Sequence, residues 1–205
     1  MRHVHPSAAY RSYADLARAQ RHGVDYDIHV EHRPQSPVAI IAPHGGRIEG
    51  GTSEAARQIA GLEHSYYLFE GQRPGRDNFE HLHLTSRFFD EPRCLALVTA
   101  SDIVMAVHGY ATDGPDVLIG GLDVQLKGRL QTALSEHGLT CLADGHPYPG
   151  TTPSNICNRG RRGRGIQLEL SARLRRSRDF TALALAVRSV LADRPGETPY
   201  EETNQ

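Results

Sequence analysis

Four side chains in this sequence have the types and settings that metal-assisted hydrolysis requires: His44, Glu49, His108 and Glu169. His44 and Glu49 lie five residues apart in the Gly-rich stretch PHGGRIEGG, directly after the apolar run VAIIA at 38–42. Glycines let a loop fold tightly enough to turn two ligands toward one point. His108 closes a second apolar run, DIVMAVHG. A catalytic zinc takes three protein ligands, often two His and one Glu, and keeps a position for water. His44, Glu49 and His108 match that set. Glu54 is the fallback for Glu49. Zinc (Zn2+) would bring the pKa of bound water to about 7, and a base must then carry the water proton to the leaving nitrogen. Glu169 stands between Leu168 and Leu170 in GIQLELS, where a carboxylate is costly unless it meets a site, a partner or water. The plainer alternatives are a polar loop before a helix for His44 and Glu49, and an outward strand residue for Glu169.

These residues need elements to position them. Apolar and polar residues alternate over 24–32, and short apolar runs fill 38–42, 65–70, 102–109, 117–121 and 165–171, all read as strands. HLHLTS at 81–86 alternates like another short strand, and 140–143 has room for one more. Helical patterns cover 10–20, 53–61 behind a Thr52-Ser53 cap, 90–99, 122–138 and 180–192. Residues 71–80 read as a loop. The Gly-, Pro- and Arg-rich segment 144–164 is a long loop, which in a compact domain is usually functional. Strands alternating with helices predict a single α/β domain, with a mixed, mostly parallel sheet flanked by helices. Residues 1–20 form its N-terminal helix region, and 193–205 a frayed tail. In such sheets ligands collect beyond the carboxyl ends of the strands, where all four residues fall.

The chain has 205 residues and a net charge of −1, so no global field draws it to nucleic acid or membrane. No run approaches the roughly 18 apolar residues of a membrane span, and the N-terminus lacks a signal-peptide core. A cytoplasmic monomer is expected, released by lysis if its substrate lies outside the cell. Three cysteines without a CxxC pair fit reduced thiols, with Cys157 a buried one. Twenty-two arginines stand against one lysine, Lys127. Coding bias explains this, or selection for carboxylate and phosphate recognition.

APHGGRIEGGTSE, LHLTSRFFDEP, VHGY, IGGLD and NICNRGRRGRGIQLELS occur in that order between residues 42 and 171. Together they resemble the poly-γ-glutamate hydrolase family of bacteriophages and some bacteria. The resemblance implies a compact zinc carboxypeptidase-like fold and hydrolysis of γ-glutamyl amide bonds. It implies His44, Glu49 and His108 as zinc ligands and Glu169 as catalytic acid/base. Ordinary zinc carboxypeptidases carry the Glu three residues after the His. Here Arg47 holds that place and Glu49 comes two residues later.

Residues 159–178 hold eight arginines and one acid, a surface that would attract a polymer with a carboxylate on every unit. Arg159, after Asn158, resembles the Asn-Arg pair that grips a substrate carboxylate in related carboxypeptidases. His83 and Tyr110 are further substrate-side candidates, and Asp123 is a candidate to orient a ligand histidine. Two other functions compete: a zinc amidohydrolase acting on another acidic amide or acyl-amino acid, and a phage-related nucleic-acid-binding accessory protein using the same arginines. Nucleic acid is the less expected partner, because no aromatic residues interleave the arginine run.

Overall fold

The computed structural model describes residues 10–75 and 77–193. In chain order the elements are α1 (Tyr13–Ala19), β1 (Tyr26–Glu31), β2 (Val38–Gly46), α2 (Thr52–Ala60), β3 (Ser65–Gly71), α3 (Asn78–Leu82), α4 (Pro92–Thr99), β4 (Ile103–Gly109) and β5 (Val117–Gly120). There follow α5 (Val124–Glu136), β6 (Cys141–Leu142), a 3-10 turn (Ile156–Asn158), β7 (Ile166–Leu170), α6 (Ala172–Ser177) and α7 (Thr181–Ala192). The seven strands form one sheet in the order β1-β3-β2-β4-β7-β5-β6. Its centre, β3-β2-β4-β7, is parallel. β1 and β5 pair antiparallel with β3 and β7, and β6 lies parallel to β5. This is the expected α/β domain with a mixed, mostly parallel sheet.

Parallel strands covered on both faces read as unbroken apolar runs, and 38–42 is fully buried throughout. Alternate residues serve opposite cores. Ile40, Val107 and Leu168 pack beneath α2, α5 and α7, against Ile59, Leu130 and Val187. Ile41, Ala106 and Phe69 pack beneath α1, α4 and the 3-10 turn, against Leu16, Leu97 and Ile156. Each fully buried branched side chain contributes about 1.5–3 kcal/mol. Among the described residues no helix is long and apolar enough to cross a membrane.

Four local expectations are corrected. HLHLTS is not a strand: α3 ends at Leu82, and His83 is its C-terminal cap. A His81–Asp77 pair at helical spacing and the Asn78 side chain bonded to the Arg73 backbone hold that short helix, and it also replaces the last turn of the expected 71–80 loop. β2 does not stop before Pro43 but runs on to Gly46. Its pairing with β3 shifts between Ala42 and Gly45, and a proline without an N–H is tolerated at such a bulge. Thr52 and Ser53 do not cap α2; Gly51, at φ 101°, is the capping residue, and the two hydroxyls bond the preceding loop instead. Finally, α6 was not foreseen. The expected tail lies outside the described residues apart from Asp193, as does the start of the N-terminal region, 1–9.

Candidate active site

The bulge in β2 aims His44. Between Ala42 and Gly45 the strand advances three residues while β3 advances two, from Leu68 to Glu70. One extra residue reverses the alternation of side chains. Ala42 therefore faces the α2 side, whereas the His44 ring lies on the other face, beside Phe89 and the Leu84 carbonyl. His108 leaves the same face of β4 two residues after Ala106. Across the β4–β7 pairing its partner is Glu169.

The loop after β2 returns Glu49 to His44. The Glu49 N–H donates to the His44 carbonyl (2.9 Å), and the Ile48 N–H to that of Gly45 (3.2 Å). The Thr52 hydroxyl donates to the Glu49 carbonyl (2.9 Å), and the Ser53 hydroxyl accepts from the Gly46 N–H (3.1 Å). Gly45 has no alternative here, because a Cβ would stand 2.2 Å from Ser53 Oγ. The five-residue spacing between His44 and Glu49 is thus closed by backbone hydrogen bonds. Glu54 is not at the site: it is exposed and pairs with Arg178 at 2.5 Å.

Three buried acceptors converge. His44 Nδ1 lies 3.0 Å from Glu49 Oε1 and 3.1 Å from His108 Nδ1, and His108 Nδ1 lies 3.7 Å from Glu49 Oε2. His44 Nε2 donates to the Leu84 carbonyl (2.9 Å), which turns Nδ1 toward the carboxylate. The Ser86 hydroxyl lies 3.3 Å from His108 Nε2. The Gly109 N–H holds Glu49 Oε2 (2.9 Å). Lone pairs this close repel unless a proton or cation stands among them. Ligands about 2.0–2.2 Å from a tetrahedral zinc lie about 3.4 Å apart, so the donor set and its spacing fit the metal. Each imidazole also has an outer partner of the kind that fixes metal ligands. His83 is close by: with His44 and Glu49 it offers ligand atoms all within 4.8 Å of one another. Its ring lies against His44 (4.1 Å between centroids) and stacks on Phe79 (4.3 Å).

The two buried carboxylates are pushed in opposite directions. Burial favours protonation of Glu49, but the His44 charge, hydrogen bonds from His108 and His44, and the His108 charge outweigh it and hold the group well below the usual range. At Glu169 burial and then the Glu49 charge raise the proton affinity well above the usual range. His44, Arg175 and a hydrogen bond from Gln167 Nε2 (3.0 Å) offset this only in part. A carboxylate with high proton affinity beside an ionised one is the division of labour that acid/base work uses.

The substrate-side candidates fare differently. Asn158 is buried with both ends of its amide engaged: Nδ2 donates to the Gly150 and Thr152 carbonyls, and Oδ1 accepts from the Leu122 and Gly165 N–H groups. It braces the 144–164 loop, and its side chain is not offered to a substrate. Arg159 reaches the Phe89 carbonyl (3.2 Å), on the segment that lines the His44 pocket. The Tyr110 hydroxyl is pinned to the Pro115 carbonyl. Asp123 caps α5 and pairs with Arg162 and Arg164, so it orients neither histidine. Cys157 is buried, which pushes its thiol up to about 12.

The basic run is largely neutralised. Arg161 pairs with Asp102, Arg173 with Asp116, Arg176 with Asp113 and Arg178 with Glu54. These pairs reduce the cationic surface expected of 159–178. Sequence reasoning missed Tyr148. It is half-buried in the long loop, and its phenol is raised by burial and then by the Glu169 and Glu49 charges, so it lies within electrostatic reach of both carboxylates. A phenol in a polar loop already read as functional was the available signal.

An α/β sheet that gathers convergent ligand atoms and a protonatable carboxylate at the ends of neighbouring parallel strands has the parts that a metal-assisted hydrolase uses. Comparison with known proteins narrows this. The family model for poly-gamma-glutamate hydrolase matches residues 10–191, and the chain belongs to that family. It is 36% identical over 176 residues to the UPF0714 protein YndL of Bacillus subtilis (strain 168), covering 85% of this chain and 68% of YndL. It is 41% identical over 155 residues to the SPbeta prophage-derived UPF0714 protein YoqZ of the same organism, covering 74% of this chain but 55% of YoqZ. A bacteriophage poly-gamma-glutamate hydrolase structure superposes with a TM-score of 0.83 at 31% identity, over 89% of this chain and 96% of that one. A zinc-free apo structure of YndL gives 0.81 at 32%, over 90% and 97%.

Proposed function

We propose that this protein hydrolyses γ-glutamyl amide bonds of poly-γ-glutamate, with zinc held by His44, Glu49 and His108 and with Glu169 as general acid/base. One observation carries the reading: the Nδ1 atoms of two buried histidines and a buried carboxylate meet at 3.0–3.7 Å, with His108 paired across the β4–β7 ladder to Glu169. Membership of the poly-gamma-glutamate hydrolase family and the zinc-free form of YndL support the substrate and the metal.

When bound, zinc supplies Lewis acidity that polarises the scissile carbonyl and lowers the pKa of water. The remaining steps belong to the chain. Glu169 takes the proton of the attacking water and delivers it to the γ-amide nitrogen as the C–N bond breaks. Gln167 holds one Glu169 oxygen in place. Leu84 and Ser86 fix the two imidazoles with their Nδ1 atoms facing inward. Tyr148, rather than Tyr110, offers a phenol to the developing oxyanion. His83 walls the pocket, and Arg159 takes a substrate α-carboxylate through its guanidinium. With six of the eight arginines of 159–178 facing acids, attraction of the polymer is greatest at the cleft.

Incubation of the zinc-loaded protein with poly-γ-glutamate, with and without a chelator, followed by sizing of the products, tests the proposal. Shortening that the chelator abolishes is expected. No shortening by the zinc-loaded protein contradicts it.

A further inference from the structure

Beyond the charge it sets near Glu169, the Arg175 side chain touches all three strand exits that carry the site residues. It stands on α6, whose N-cap Ser171 follows β7 directly. Its Nε donates to the Leu170 carbonyl (3.2 Å), one nitrogen of its fork to the Gly50 carbonyl (2.9 Å) and the other to the Tyr110 carbonyl (2.8 Å). Leu170 follows Glu169 and Gly50 follows Glu49. Tyr110 follows Gly109, whose N–H holds Glu49 and whose own neighbour is His108. Two glycines make room for this arm. A Cβ on Gly109 would stand 2.3 Å from Arg175 Nε, and one on Gly51 3.1 Å from Arg175 Cβ.

We infer that Arg175 is a positioning residue, a three-way staple whose planar guanidinium fixes the exits of β2, β4 and β7 relative to one another and so sets the spacing of Glu49, His108 and Glu169. The inference rests on the reading of those residues as ligands and base. A guanidinium is suited to the task because its donors are rigidly spaced, so a single group defines three directions at once. A lysine ammonium at this position retains the charge but carries it on a flexible stem as a point, and does not reproduce three fixed directions.

The test compares wild type, Arg175→Lys and Arg175→Met. Metal-free protein is titrated with zinc against a competing chromophoric chelator, kcat and KM are measured on poly-γ-glutamate, and thermal melts establish that each variant is folded. Both variants are expected to lose about 10- to 100-fold in zinc affinity, the range for residues that hold ligands in place, and to lose kcat with little change in KM. Arg175→Lys with wild-type zinc affinity and kcat overturns the staple, since charge alone would then suffice. A lower Tm with unchanged affinity and kcat also overturns it, by making the residue structural only. Should Arg175→Met not fold, Arg175→Lys carries the same comparison. Wild-type protein that takes up no zinc contradicts the metal reading itself, and the inference falls with it.

Discussion

At Glu169 burial and a neighbouring negative charge act in the same direction, and both oppose ionisation. The consequence for stability has a definite sign. A carboxyl whose folded-state pKa lies above its unfolded value costs nothing where both states are protonated. The cost appears as pH rises past the unfolded pKa and grows up to the folded one, at about 1.4 kcal/mol per unit of difference. Glutamine at this position removes the cost and leaves an amide beside Gln167. In metal-free protein, Glu169→Gln is therefore expected to melt higher than wild type, by a margin larger at pH 8 than at pH 5. Equal margins at the two pH values would contradict the assignment of Glu169 as a carboxylate with raised proton affinity. The residue types that lead here were legible: a His and a Glu in a Gly-rich loop, a His closing an apolar strand, and a Glu between two buried leucines. The arginines were not. Arg173 and Arg178 find their acids 57 and 124 residues earlier in the chain, and no local window contains both members of such a pair.

Among the elements, the strands and long helices follow from apolar periodicity, and the misses have separable causes. HLHL alternates as a strand does, but it straddles the end of a five-residue helix whose direction is set by Asn78 and by the His81–Asp77 pair. Pro43 reads as a strand breaker, yet it sits in the bulge that turns His44 onto the site face. Within the long loop 144–164, Asn158 serves as the brace. Its four hydrogen bonds join Gly150 and Thr152 to Leu122 and Gly165, and a buried group left unsatisfied costs about 1–3 kcal/mol. Asn158→Ala is expected to destabilise the protein by about 3 kcal/mol, a fall in Tm of roughly 6–12 °C. Thermal melts alongside steady-state kinetics check this. An unchanged Tm with a raised KM would return Asn158 to the substrate.

For the whole molecule, the strand order determines how far-separated residues meet. β2, β4 and β7 are consecutive in the sheet although His44, His108 and Glu169 are spread over the chain. Their carboxyl ends lie together, as expected for the ligand-binding edge of such a sheet. α2, α5 and α7 on one face and α1 and α4 on the other bury the sheet between them, so the exits are held by a rigid scaffold and the loops carry the specificity. In the proposed mechanism His44, Glu49 and His108 hold the metal while Glu169 works beside it without binding it. Zinc content and turnover of poly-γ-glutamate, measured on the same samples of wild type, His108→Ala and Glu169→Gln, separate those roles. The account predicts about one zinc per chain in wild type and in Glu169→Gln, with turnover of the latter down about 100-fold or more, and neither zinc nor turnover in His108→Ala. A His108→Ala protein that retains its full zinc would contradict it.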